Sequence, residues 1–144
     1  MIELNNYQMI GWMKMEIIEK APAKINLGLD VLEKRTDGYH ELEMVMSSFD
    51  LADRLIMEEI AEDKIIVETN KAFLPIDKRN NVYQAASILK KRYGIKKGIR
   101  IRITKNIPVA AGLGGGSTDC AAALRGMVRL WDLDLSMAEL IDIG

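Results

Sequence analysis

The chain has 144 residues, of which 49% are hydrophobic, 28% charged and 6% aromatic, a composition that fits one globular domain of ordinary size. Lys and Arg number 20 against 21 Asp and Glu, and the formal net charge of -1 excludes a general electrostatic affinity for nucleic acid or for acidic membrane. A single cysteine, Cys120, and a single histidine exclude an internal disulfide and a metal site of sulfur and imidazole ligands, and they point to a reducing cytoplasm.

Residues 1–14, MIELNNYQMIGWMK, have no clean period and lack the compact apolar core of a secretory signal, so they read as a loosely attached extension before a domain over 15–144. Met13 and Met15 offer later starts. No apolar run approaches the roughly 20 residues needed to cross a bilayer. From Met15 the pattern is strand-like: Ile17 and Ile18 are followed by Ile25, Leu27, Leu29 and Val31 alternating with Asn26, Gly28, Asp30 and Leu32. Asp37-Gly38 signals a turn, and Met44–Phe49, Arg54–Ile60 and Lys64–Glu68 read as further short strands.

Asn80 or Asn81 can cap a helix whose apolar face is Val82, Ala85, Ala86, Leu89 and Tyr93, closed by Gly94. The Lys and Arg residues between Lys90 and Arg102 are interrupted by Tyr93, Gly94 and Ile95 and read as a solvated face. Ile99, Ile101 and Ile103 alternate with Arg100, Arg102 and Thr104, a half-buried strand. A second helix carries Cys120, Leu124, Met127, Val128 and Trp131 on one face, with Ser117, Thr118 or Asp119 as its cap. Ser136 and Glu139 form a capping box for a last short helix that ends at Gly144. Strands first, then a strand between two helices, predict an α+β domain with no internal repeat.

Between strand and second helix stand Pro108, Val109, Ala110, Ala111, Gly112, Leu113, Gly114, Gly115, Gly116, Ser117 and Thr118, with four glycines in five positions. Lacking Cβ atoms, Gly112, Gly114, Gly115 and Gly116 can adopt positive φ and bring peptide N–H groups close to a ligand. The helix that follows directs its positive dipole end at the same point, which makes the segment an anion cradle suited to nucleotide phosphates. It is not a Walker A loop, because no lysine separates Gly116 from Ser117. It is not a dinucleotide fingerprint either, because Ser117 stands where the third glycine belongs. A tight turn using glycine only for its geometry is the plainer alternative.

Three stretches carry a family resemblance: Ala21–Leu27 (APAKINL), Arg35–His40 (RTDGYH) and the glycine segment Pro108–Thr118. In order and spacing they resemble the GHMP small-molecule kinases, and among those the kinases of a cytidine-diphosphate-linked methylerythritol. The match runs from about Ile17 to the end of the chain. The resemblance implies the ribosomal protein S5 domain 2-like α+β fold of a GHMP-kinase N-terminal domain. It also implies ATP as co-substrate, with magnesium, its γ-phosphoryl passing to the 2-hydroxyl of the cytidine-linked methylerythritol in non-mevalonate isoprenoid synthesis.

By the same resemblance Lys24 is the catalytic lysine, with Asn26 on the same strand face in the substrate site. Tyr39 and His40 hold the cytosine end, and Asn81 and Lys105 lie near the nucleotide. On the residues alone, Lys24 reads as an exposed strand lysine, Tyr39 and His40 as half-buried aromatics after a turn, and Asn81 as a helix cap. The family's general base is an aspartate in a Gly-Ala-Asp segment expected beyond Gly144, to which Asp119, Asp132, Asp134 and Asp142 do not correspond. A C-terminal domain that completes the cleft is expected there too, which makes 15–144 a truncated N-terminal domain. Two alternatives remain open: a nucleotide-binding fragment without catalysis, and a GHMP kinase for another small alcohol.

Overall fold

A computed structural model describes residues 15–144, so the extension expected over 1–14 lies outside the described residues. The elements run β1 (Glu16–Lys34), β2 (His40–Ile60), β3 (Ile65–Thr69), α1 (Asn81–Tyr93), β4 (Gly98–Thr104), α2 (Gly115–Leu130) and α3 (Met137–Ile143). The four strands form one sheet in the order β1-β2-β4-β3. β1 with β2 and β2 with β4 are antiparallel, whereas β3 and β4 are parallel, with α1 in the crossover between them. The mixed sheet with its helices is the expected α+β class. No helix among the described residues is long and apolar enough to cross a membrane.

Alternation decides which face of the sheet the helices cover. Ile99, Ile101 and Ile103 of β4 are buried with Leu55 and Met57 of β2 and Val67 of β3, in one core with Val82, Ala85, Ala86 and Leu89 of α1. The intervening side chains form ion pairs: Arg100 with Glu58 at 2.9 Å, and Arg102 with Glu16 at 2.7 Å. Ion pairs held by a solvent-facing guanidinium add little, so the fold rests on the apolar face.

Several boundaries differ from the sequence reading. Met44–Phe49 and Arg54–Ile60 are not two strands but parts of one 21-residue β2. It pairs with a 19-residue β1 that keeps going through its glycine by means of register shifts at Pro22/Lys24, Asn26/Gly28 and Val31/Lys34. Irregularities of this kind bend and twist a strand without ending it, which local pattern cannot show. At α1, Asn80 is the cap, its Oδ1 accepting from Val82 N at 2.9 Å, and Asn81 is the first helical residue. At α2 none of Ser117, Thr118 and Asp119 caps: the helix starts at Gly115 behind Gly114, with no capping side chain.

The buried face of α2 is also rotated from the large apolar residues toward small ones, Ala122, Ala123 and Gly126 beside Leu124, Met127 and Leu130. Close approach explains it. A Cβ on Gly126 would stand 2.0 Å from Met57 Cε, so the helix reaches the sheet only because that position is bare. Cys120 and Trp131 sit at the margin of the core, and the expected capping box holds α3, with Ser136 N donating to Glu139 Oε2 at 2.8 Å.

Candidate functional site

The glycine segment borders a cleft of about 360 Å³ whose opposite wall is Arg79, Asn80 and Asn81 at the start of α1. Thr69, Leu74 and Pro75 close one side, and Ile103, Lys105 and Asp119 line the rest. The loop turns by positive φ at Ala110 (60°), Gly112 (73°) and Gly114 (73°), whereas Gly115 and Gly116 are already helical. Gly112 and Gly114 thus supply left-handed backbone, and Gly115 supplies room. No side chain caps α2, and its first residues Gly115, Gly116 and Ser117 line the cleft, an arrangement that favours an anion.

Beneath the loop lies a buried cluster of charge. Lys105 Nζ donates to Asp53 Oδ2 and, at 2.7 Å, to Asp119 Oδ2. Asp53 Oδ1 accepts from the N–H groups of Asn106 (2.6 Å) and Ile107 (2.8 Å), so a β2 carboxylate fixes the path of the chain from β4 toward the loop. Asn70 holds the Lys105 backbone, its Oδ1 accepting from Lys105 N at 2.8 Å. A Cβ on Gly115 would come within 3.2 Å of Lys105 Nζ and of Ile107 Cγ2, so Gly115 rests directly on this floor.

Burial and competing charges set the ionisation here. Burial acts against the Lys105 charge, yet the hydrogen bonds it donates to both carboxylates outweigh it and hold the ammonium above its ordinary range. Asp119 moves the other way from a typical lysine-paired acid: burial pushes its carboxyl up to about 6, and the Asp53 carboxylate adds to that against the pull of Lys105. One ammonium does not satisfy two buried carboxylates.

The loop is tied to β1. Lys24 N donates to Leu113 O at 3.0 Å, and the Lys24 stem crosses Gly114 so closely that a Cβ there would lie 3.0 Å from Lys24 Cγ. Lys24 is thereby placed beside Leu113 and Gly114, 89 and 90 positions away in sequence.

The family model for the GHMP kinases N terminal domain matches residues 80–144, from the end of the cleft's α1 wall through the loop and α2 to α3. A crystal structure of 4-(cytidine 5'-diphospho)-2C-methyl-D-erythritol kinase superposes with a TM-score of 0.72 at 38% identity, over 90% of this chain and 46% of that one. This is the fold of a GHMP-kinase N-terminal domain. Homoserine kinase from Cytophaga hutchinsonii shares that fold, with a TM-score of 0.71 at 23% identity over 91% of this chain and 40% of the other. In sequence the chain is 65% identical over 130 residues to the 4-diphosphocytidyl-2-C-methyl-D-erythritol kinase of Enterococcus faecalis and 59% identical to that of Bacillus subtilis. It covers 46% and 45% of these relatives, so it spans less than half their length.

Within this fold the expected site residues fall into two groups. Lys105, Asn81 and the loop from Pro108 to Ser117 line the cleft, and Lys24 is seated against it. Thr118 does not line it: its hydroxyl donates back to Gly115 O at 3.2 Å within the helix. Asn26 is exposed, with its Oδ1 at 3.5 Å from Lys24 Nζ. Tyr39 and His40 are exposed at the tip of the β1–β2 hairpin, where Arg35 N donates to Tyr39 O, and are not brought to the cleft. The ten residues from Lys24 to Lys34 correspond to roughly 33 Å of straight strand.

The sequence reading missed Asp53, Asn70, the place of Asn80 in the cleft lining and the partnership of Asp119 with Lys105. Asp53 has a faint signal, a carboxylate within an apolar strand stretch. Its lysine lies 52 positions away, and nothing local announces the pair.

Proposed function

We propose that this chain carries the ATP-binding part of a kinase that transfers the γ-phosphoryl of ATP to the 2-hydroxyl of 4-diphosphocytidyl-2-C-methyl-D-erythritol, a step of non-mevalonate isoprenoid synthesis. The observation that carries the reading is the seating of Lys24 on Gly114, which sets a cation beside a phosphate cradle. The relatives named above supply the substrate. Phosphoryl transfer is chiefly positioning and charge neutralisation. The N–H groups at the start of α2 and the loop backbone receive the phosphates, while Asn80 and Asn81 bound the far side of the nucleotide. Lys24 draws charge from the transferring group and the acceptor oxygen, and Asn26 orients that ammonium.

Magnesium enters as the nucleotide complex. Such an ion keeps several of its waters and binds through the substrate phosphates. Tyr39 supplies a stacking face and His40 hydrogen-bonding groups for the cytosine. The three irregularities along β1 bend and twist the ribbon that carries this pair. The reading assigns the protein to the cytoplasm, with neither nucleic acid nor membrane as partner.

A second reading, nucleotide binding without turnover by these residues, is favoured by one fact. The carboxylate lining the cleft, Asp119, is engaged by Lys105, and the family's general base is expected in a Gly-Ala-Asp segment outside them. The test is an assay of this chain and of the gene's full product with ATP and three acceptors: the cytidine-linked methylerythritol, homoserine and mevalonate. Phosphorylation of the first alone by the full product, lost in Lys24→Ala, is the expected result. Phosphorylation of homoserine or mevalonate instead would overturn the substrate, and turnover by residues 1–144 alone would overturn the placement of the base.

A further inference from the structure

Three charges are buried in a row under the glycine loop: Asp53 from β2, Lys105 just past β4 and Asp119 from the first turns of α2. Lys105 Nζ donates to one oxygen of each carboxylate. The second oxygen of Asp53 takes two backbone N–H groups. The second oxygen of Asp119, Oδ1, is buried without a hydrogen-bond partner, and Asp119 lines the phosphate cleft. With both carboxylates ionised the row sums to one negative charge.

That charge sits directly below Gly115, where a Cβ would lie 3.2 Å from Lys105 Nζ and 3.5 Å from Asp53 Oδ2. The loop and the α2 N-terminus above it favour an anion, while the floor repels one across a low-dielectric layer. A proton on Asp119 Oδ1 removes the repulsion and occupies the one oxygen that has no donor.

We propose that Asp119 is a positioning residue of the phosphate cradle that takes up one proton from solution when a polyphosphate binds at the glycine loop. This rests on the nucleotide reading above. The other charged or titratable groups around the site do not compete for the role. Lys105 and Arg79 are held in their charged forms above their ordinary ranges, Arg79 by Asp77. Burial pushes the Cys120 thiol up, which keeps it protonated. Lys24 lies over Gly114, and Asn70 and Asn81 are neutral. Burial pushes the Asp119 carboxyl up to about 6. His40, at the hairpin tip, is not packed against the cluster.

The experiment is calorimetry of the magnesium complex of a non-hydrolysable ATP analogue, from pH 5.5 to 8, in buffers of different ionisation heat, on the chain and on Asp119→Asn. The wild-type affinity is expected to fall by up to about tenfold per pH unit above 6, with close to one proton taken up at pH 7.5. Asp119→Asn is expected to show only the ligand's own phosphate titration, no extra uptake, and at least tenfold tighter binding than wild type at pH 8. Equal profiles and equal uptake in both proteins would overturn the proposal. Zero uptake by the wild type does the same even where the variant fails to fold. Absence of binding by either protein at any pH would instead overturn the nucleotide reading on which the proposal rests.

Discussion

The two halves of β1 have the same alternating pattern and opposite fates. Before the loop contact, Ile17, Ala21 and Ala23 are buried. After it, Leu27, Leu29 and Val31 are 65%, 50% and 59% exposed, and across the hairpin Leu42, Met44 and Met46 are exposed as well. The difference is what lies above the strand: α2 packs on the first half, and no element among the described residues covers the second. Alternation in a sequence specifies a strand and its faces. It does not specify a partner, and an apolar ribbon of this size marks a surface used for contact.

The largest expected effect breaks the comparison from the packed side. Ile101→Ala removes a fully buried side chain between β2 and β3 and should cost about 2–5 kcal/mol in denaturant unfolding. A cost below 1 kcal/mol would mean that the sheet core is looser than the packing indicates. The ribbon is probed next by Tyr39→Ala in the gene's full product, where the proposed function predicts a KM for the cytidine substrate raised by the roughly 1–3 kcal/mol of a lost base-stacking contact and a KM for ATP unchanged. Parallel movement of both constants would make the hairpin tip structural.

A third effect is read from pH. The folded state holds the Asp119 proton more tightly than the unfolded chain, about 6 against 3.8, so unfolding free energy should decline as pH rises from 4 to 6 and stay lower above. The decline is on the order of 1–3 kcal/mol and should vanish in Asp119→Asn. Stability of the two proteins that runs parallel across this window would contradict the buried assignment. The smallest effect belongs to the ribbon face: Leu29→Ser should change the stability of this chain by less than about 0.5 kcal/mol. A loss comparable to that of Ile101→Ala would show that the ribbon is covered after all.

Local chemistry was legible and tertiary chemistry was not. The β4 isoleucines, the Gly94 stop of α1 and the Ser136/Glu139 box are settled within a few residues, and the structure has them as read. The order of strand, glycine loop and helix was legible for the same reason, since the three are contiguous. The floor beneath it was not, because Asp53, Lys105 and Asp119 come from three elements and meet only after β2 pairs with β4. The α2 face was misread because pattern rewards large apolar residues, whereas the contact with Met57 is made by the absence of a side chain at Gly126. The loop supplied positive φ at Gly112 and Gly114 as composition allowed, but the role of Gly115 is clearance above Lys105.

The central claim is that the cleft beside Lys24 is a phosphate site whose shape depends on a bare Gly115. Calorimetric titration of ATP with magnesium into the wild-type chain and Gly115→Val, with circular dichroism of both, tests it most directly. A branched side chain would press on Lys105 and Ile107 below, and it would displace the N–H groups above. The account predicts at least a tenfold loss of affinity, about 1.4 kcal/mol or more, with the helical and sheet signals retained. Equal affinities in the two proteins would contradict it and reduce the four glycines to a turn.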